Sequence, residues 1–118
     1  MEAKIAAEES GKDRIQVFFS MLEDALIDCR DLLIERFEWS CGQPAASASF
    51  MYDNNLMAGY KPEEGIRSAL IHGTLSVGQL GLAECLQILI NTDHTTTAGM
   101  ALAKEIEKLY NVKCKEWK

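Results

Sequence analysis

The stretch Gly73-Thr74-Leu75-Ser76-Val77-Gly78-Gln79-Leu80-Gly81-Leu82-Ala83-Glu84 changes its hydrophobic period partway along. Residues 74–77 alternate polar and apolar in the manner of a short strand. From Leu80 onward the apolar residues fall at Leu82, Cys85, Leu86 and Leu89, the spacing of one helix face. Gly78 and Gly81 straddle the switch. Glycine there lets backbone approach closely, and the helix N-terminus behind it offers free N–H groups to an anion. Two readings stay open for this turn: close strand-to-helix packing, or contact with the phosphates of a ligand. A Gly-x-x-x-x-Gly spacing joins Gly73 to Gly78, but Gln79-Leu80 stand where Lys-Ser/Thr would complete a phosphate loop, so a Walker site is excluded.

Upstream, Ser10 and Asp13 have the spacing of a capping box, with Asp in place of Glu, and predict a helix start. Apolar residues then recur at Ile15, Phe18, Leu22, Leu26, Cys29, Leu33 and Phe37, in steps of three and four, which is one helical stripe. Glu23, Asp24, Asp28, Asp31 and Glu35 make the opposite face acidic and solvated. The pattern then breaks, and residues 40–61 read as a long loop through Cys41-Gly42-Gln43-Pro44 and Tyr52-Asp53-Asn54-Asn55. A loop of about twenty residues is uncommon in a small domain, so it is either functional or shaped by protein lying elsewhere. A second, short helix is expected to begin at Pro62 and end at Gly73, with Ile66, Ala69 and Leu70 inward and His72 in its last turn. Downstream of the glycine-rich turn, Thr92 and Asp93 mark a turn. One of Thr95, Thr96 and Thr97 then caps a last helix whose apolar face is Met100, Leu102, Ala103, Ile106, Leu109, Tyr110 and Cys114. The expected fold is mainly α, four helices with one short strand, in a single segment over residues 1–118.

A chain of 118 residues has room for one domain. Its 47% hydrophobic and 25% charged residues match soluble globular proteins. Twelve basic against eighteen acidic residues give a net charge of −6 with no Lys/Arg stripe, which argues against nucleic acid as a partner. The longest apolar run, residues 80–90, contains Glu84 and Gln87 and falls well short of the ~20 residues of a spanning helix. The first residues, Met1-Glu2-Ala3-Lys4, show no secretory signal, so the expected setting is cytoplasmic, with no membrane partner.

The four cysteines contain no Cys-x-x-Cys spacing. Cys29, Cys85 and Cys114 fall on apolar helix positions and Cys41 in the loop, so they read as reduced thiols, with Cys85 the least accessible. His72 and His94 stand apart from each other and from any cysteine pair, and no metal site is expected.

The run from His72 through Gly73-Thr74-Leu75-Ser76-Val77-Gly78-Gln79-Leu80-Gly81-Leu82-Ala83-Glu84-Cys85-Leu86 resembles an inner segment of the anaerobic (class III) ribonucleoside-triphosphate reductases, the glycyl-radical enzymes that make deoxynucleotides without oxygen. The similarity continues through Asp93-His94-Thr95-Thr96, where some members carry a His-His-Gly-Glu-Ser-like sequence, into the helix near Met100. It reaches backward through Phe18-Phe19 to Glu35-Arg36-Phe37. The resemblance implies that the chain is an internal fragment of an α/β barrel enzyme several hundred residues long. In the parent, a thiyl radical on a loop cysteine, a C-terminal glycyl radical and a four-cysteine zinc site do the chemistry. None of these motifs maps onto Cys29, Cys41, Cys85 or Cys114, so no catalytic residue, metal or cofactor is assigned to this chain. The glycyl radical and zinc are expected elsewhere in the parent. Nucleotide contact, if this segment makes any, is expected at Gly73, Thr74, Gly78 and Gly81. The implied partners are the rest of the reductase chain, its radical-activating iron-sulfur enzyme and nucleoside triphosphates, and a homodimer is expected. The alternatives are a free-standing helical interaction or regulatory module, and a small ligand-binding domain using the glycine-rich turn.

Overall fold

The computed structural model describes residues 1–117. Among them are six α-helices: α1 (Glu2–Ser10), α2 (Arg14–Cys41), α3 (Ser49–Asp53), α4 (Arg67–Leu70), α5 (Leu82–Ile90) and α6 (Thr97–Glu116), with a 3₁₀ turn at Ala45–Ala48 before α3. The mainly helical class agrees with the sequence reading; the count of four helices does not. Four departures have separate causes.

The first is α1, which precedes the expected start. Its apolar positions are mostly alanines, so it carries no strong amphipathic stripe, yet Ala, Glu and Lys are good helix formers and Ala3 and Ala7 are buried. The start of α2 is set by Asp13, whose carboxylate accepts the Gln16 N–H at 3.2 Å. Ser10 instead donates back to the Ala6 carbonyl at the end of α1, so the capping box does not form.

The second is the expected loop at 40–61, which holds α3 and contributes to a small core shared with α4. Tyr52 of this stretch is buried against Ile66 and Ala69, with Ala45, Met57, Tyr60 and Leu70 packed against them. The Tyr52 and Tyr60 rings lie 4.6 Å apart, within the range of a favourable aromatic pair.

The third is Pro62. It occupies the second position of a turn closed by the Glu64 N–H donating to the Lys61 carbonyl at 3.0 Å, where its fixed φ is equally suited, and an isolated bridge joins Lys61 to Gly65. The helix therefore begins later, at Arg67. Gly73 follows its end, donating its N–H to the Leu70 carbonyl.

The fourth is the strand at 74–77. These residues are unpaired chain without regular structure, and no strand forms among the described residues. Alternation alone cannot make a strand, because ladder hydrogen bonds need a partner. Here the backbone is solvated and Leu75 is half exposed.

Two compact units result, one of Met1–Asp28 with the residues from Gly78 onward, the other of Cys29–Val77, and α2 contributes to both. In the first, Leu86, Ala103 and Ile106 form a buried cluster against Phe18, Phe19, Leu22, Leu82, Leu102 and Tyr110. Phe19 apart, these residues lie on the apolar faces predicted for α2, α5 and α6. Thr96 caps α6 by accepting the Gly99 N–H at 3.1 Å. In the second unit, Ser68 Oγ accepts the Lys61 N–H at 2.8 Å and donates to the Gly65 carbonyl at 2.7 Å, fastening the turn onto α4. No helix among the described residues is long and apolar enough to cross a membrane.

Candidate functional site

The last turns of α2 place Leu33, Phe37 and Ser40 at i, i+4 and i+7, one face of the helix. Within the unit of Cys29–Val77 that face borders a trough of about 570 Å³, completed by Arg36 and by Leu70, Gly73, Thr74 and Leu75. The size suits a binding site, as does the lining, aliphatic and aromatic with a few polar groups. Phe37 is held from one side by the Arg67 guanidinium, 5.4 Å from its ring centroid. Arg67 in turn pairs with Glu38, and the hydrogen bond to that carboxylate raises its pKa further. Arg36 is exposed and makes no ion pair or hydrogen bond among the described residues.

The four glycine-rich positions do not share one setting. Gly73 and Thr74 line the trough. Gly78 and Gly81 belong to the other unit. Nothing lies within 4 Å of where a Gly78 side chain would start, so close packing does not account for that glycine. Gly81 is the N-cap of α5 with φ 81°, a left-handed conformation costly for most residues, and no side chain caps the helix. Beside it Gln79 hydrogen-bonds to Glu107. Leu80, expected at the start of the helix, is fully exposed before it.

The cysteines also depart from expectation. Cys29 and Cys114 are exposed, and Cys41 ends α2 half-buried instead of lying in a loop. Cys85 is half-buried in α5, and burial pushes its thiol pKa up, which leaves it a poorer nucleophile. Among the described residues no three His, Cys, Asp or Glu side chains gather as a metal site would require, so these cysteines do not fit a zinc centre. His72 lies exposed just past α4, and a side chain on Gly59 would meet its ring.

Sequence reasoning passed over the trough. Leu33 and Phe37 read only as continuing the α2 stripe, and Leu70 only as the inward side of a short helix. The available signal was Arg36, a cation set among the apolar residues Leu32, Leu33, Ile34 and Phe37 on a chain of net charge −6.

Comparison with known proteins gives one positive result. A model of the anaerobic ribonucleoside-triphosphate reductase family matches residues 3–118. Neither the curated proteins nor the solved structures yielded a significant match. The family match takes in the glycine-rich segment, the trough and both cores together, and on that extent the chain belongs to the anaerobic ribonucleoside-triphosphate reductase family.

Proposed function

We propose that this chain supplies a helical, non-catalytic part of an anaerobic ribonucleotide reductase, an oxidoreductase that converts ribonucleoside triphosphates to deoxyribonucleoside triphosphates by radical chemistry. The observation that carries the reading is the family match over residues 3–118. The cysteines support the non-catalytic part of it. A radical-bearing thiol must stand beside its substrate in a site closed to side reactions, whereas Cys29 and Cys114 face solvent and Cys85 is half-buried in α5. The thiyl cysteine, the glycyl radical and zinc are assigned to other parts of the parent. The rest of the reductase chain, its iron-sulfur activating enzyme and nucleoside triphosphates are the proposed partners, in the cytoplasm. In the parent barrel, residues 74–77 would gain strand partners and α5 would pack outside them.

Supplied with activating enzyme, reductant and nucleoside triphosphate, the purified chain is expected to form no deoxynucleotide, while a full-length family member in the same assay does. Product from the chain alone would overturn the proposal.

Of the four expected positions, Gly78 and Gly81 lie in one unit, and nucleotide contact there is a second reading, favoured by one observation, the uncapped start of α5 behind Gly81. Titrating ATP into ¹⁵N-labelled protein should shift the amides of residues 81–84 first, and unchanged amides there at millimolar ATP would end it.

A further inference from the structure

The trough of the Cys29–Val77 unit does not end at its own walls. Leu75 on its rim is 48% exposed, and on α2 Leu32 and Trp39 are 53% and 68% exposed. Leu32, Arg36 and Trp39 are spaced i, i+4 and i+7, so they form a stripe beside the lining stripe of Leu33, Phe37 and Ser40. A small molecule seated in the trough would leave Leu32 and Trp39 in water. A partner with extended surface of its own would cover both stripes.

Charge specifies that partner further. The unit holds four cations. Arg30 pairs with Asp31, Lys61 with Glu64 and Arg67 with Glu38. Arg36 alone has no carboxylate among the described residues, and it stands between the apolar trough and the exposed Leu32–Trp39 stripe. An exposed guanidinium beside an exposed Trp combines two of the residue types enriched in protein–protein hot spots, and its planar fork matches a carboxylate in two-point contact.

We propose that this trough docks a polypeptide segment that seats an aliphatic or aromatic side chain among Leu33, Phe37, Leu70 and Leu75 and sets a carboxylate against Arg36. The apolar side chain supplies the attraction and the carboxylate supplies the register. The docking goes beyond the reductase reading and concerns the chain with residues 74–77 unpaired, as they stand here.

The test is an NMR titration of the isotopically labelled chain with the peptide acetyl-Leu-Glu-Phe-Leu-amide, its Gln counterpart acetyl-Leu-Gln-Phe-Leu-amide, and sodium octanoate. Saturable shifts are expected at the methyls of Leu33, Leu70 and Leu75 and at the Arg36 side-chain N–H, with the Glu peptide about threefold tighter than the Gln peptide at low salt. Arg36→Gln should erase that difference without disturbing the rest of the spectrum, and Leu75→Ser should weaken both peptides. Equal binding of the two peptides, or an absence of shifts in the trough, overturns the proposal. So does octanoate saturating the same methyls as readily, which would make this a site for small amphiphiles. The same methyls shifting with protein concentration alone would assign the surface to self-association and overturn it as well.

Discussion

The two units reach burial by different routes. Around α5 and α6, long amphipathic helices bring Leu86 and Ile106 to essentially zero exposure, and Leu26 is buried almost as fully on α2. Each such aliphatic side chain contributes about 1.5–3 kcal/mol. The Cys29–Val77 unit has only short helices after α2, and its buried cluster is one tyrosine, one isoleucine and one alanine. There, side-chain bonds to backbone do part of the fastening: Ser68 bridges Lys61 and Gly65, and Arg67 ties Phe37 and Glu38 to α4. Periodic helices form a core by repetition. Short pieces need specific polar contacts to choose one arrangement, and they leave apolar surface such as Leu75 and Trp39 outside.

The largest expected effect tests the first route. Leu86→Ala should cost about 2–5 kcal/mol in urea unfolding, with hydrogen exchange quickening throughout α5 and α6. Equal loss of protection at Tyr52 and Ala69 would break the comparison by showing that one cooperative core spans both units. Next is Gly99→Ala. The added carbon would stand 1.7 Å from the Asp93 carbonyl oxygen, so the turn must shift and the Thr96 cap with it, at about 1–3 kcal/mol. A neutral result would show that the 92–96 turn moves freely. Ser68→Ala should cost about 1 kcal/mol and act on residues 57–70 alone, because the Lys61 N–H loses its acceptor. Exchange rates that stay unchanged across 57–70 would remove the distinction drawn for that unit.

The smallest effect is a pH dependence. The Thr95 hydroxyl and N–H hydrogen-bond to Asp93 and hold its carboxyl below the usual range. A depressed folded value gives stability that is present above the ordinary carboxyl pKa of about 3.9 and lost as pH falls through the folded value. A Cγ titration of Asp93 should therefore have its midpoint below that of the Thr95→Ala variant. Coincident midpoints would mean that the bonds do not favour the charged form.

Much of the first unit was legible because its signals are local and repeated. The stripe from Ile15 to Leu26, the apolar faces of α5 and α6 and the threonine cap at Thr96 each follow from spacing and side-chain chemistry within a few residues. The Cys29–Val77 unit was less so. Tyr52 sits in a stretch that reads as turn chemistry, yet it is buried because Tyr60, Ile66 and Ala69 come to it from farther along the chain. The four glycine-rich positions divide for the same reason: Gly73 and Thr74 line the trough with α2 residues that lie over thirty positions earlier, while Gly78 and Gly81 belong to the other unit.

The sequence by itself determined the helical class, the two long amphipathic helices α2 and α6, the start of α5 near the glycines, and the family, all of which rest on periodicity or on motif identity carried by neighbouring residues. Only the tertiary structure decided that residues 74–77 stay unpaired, that Pro62 makes a turn and not a helix start, and that, of the four cations in the Cys29–Val77 unit, Arg36 has no carboxylate among the described residues. A strand, a buried tyrosine or an ion pair exists only when a second segment arrives, and which segments arrive depends on the free energy of the whole unit, beyond what any short window of residues encodes.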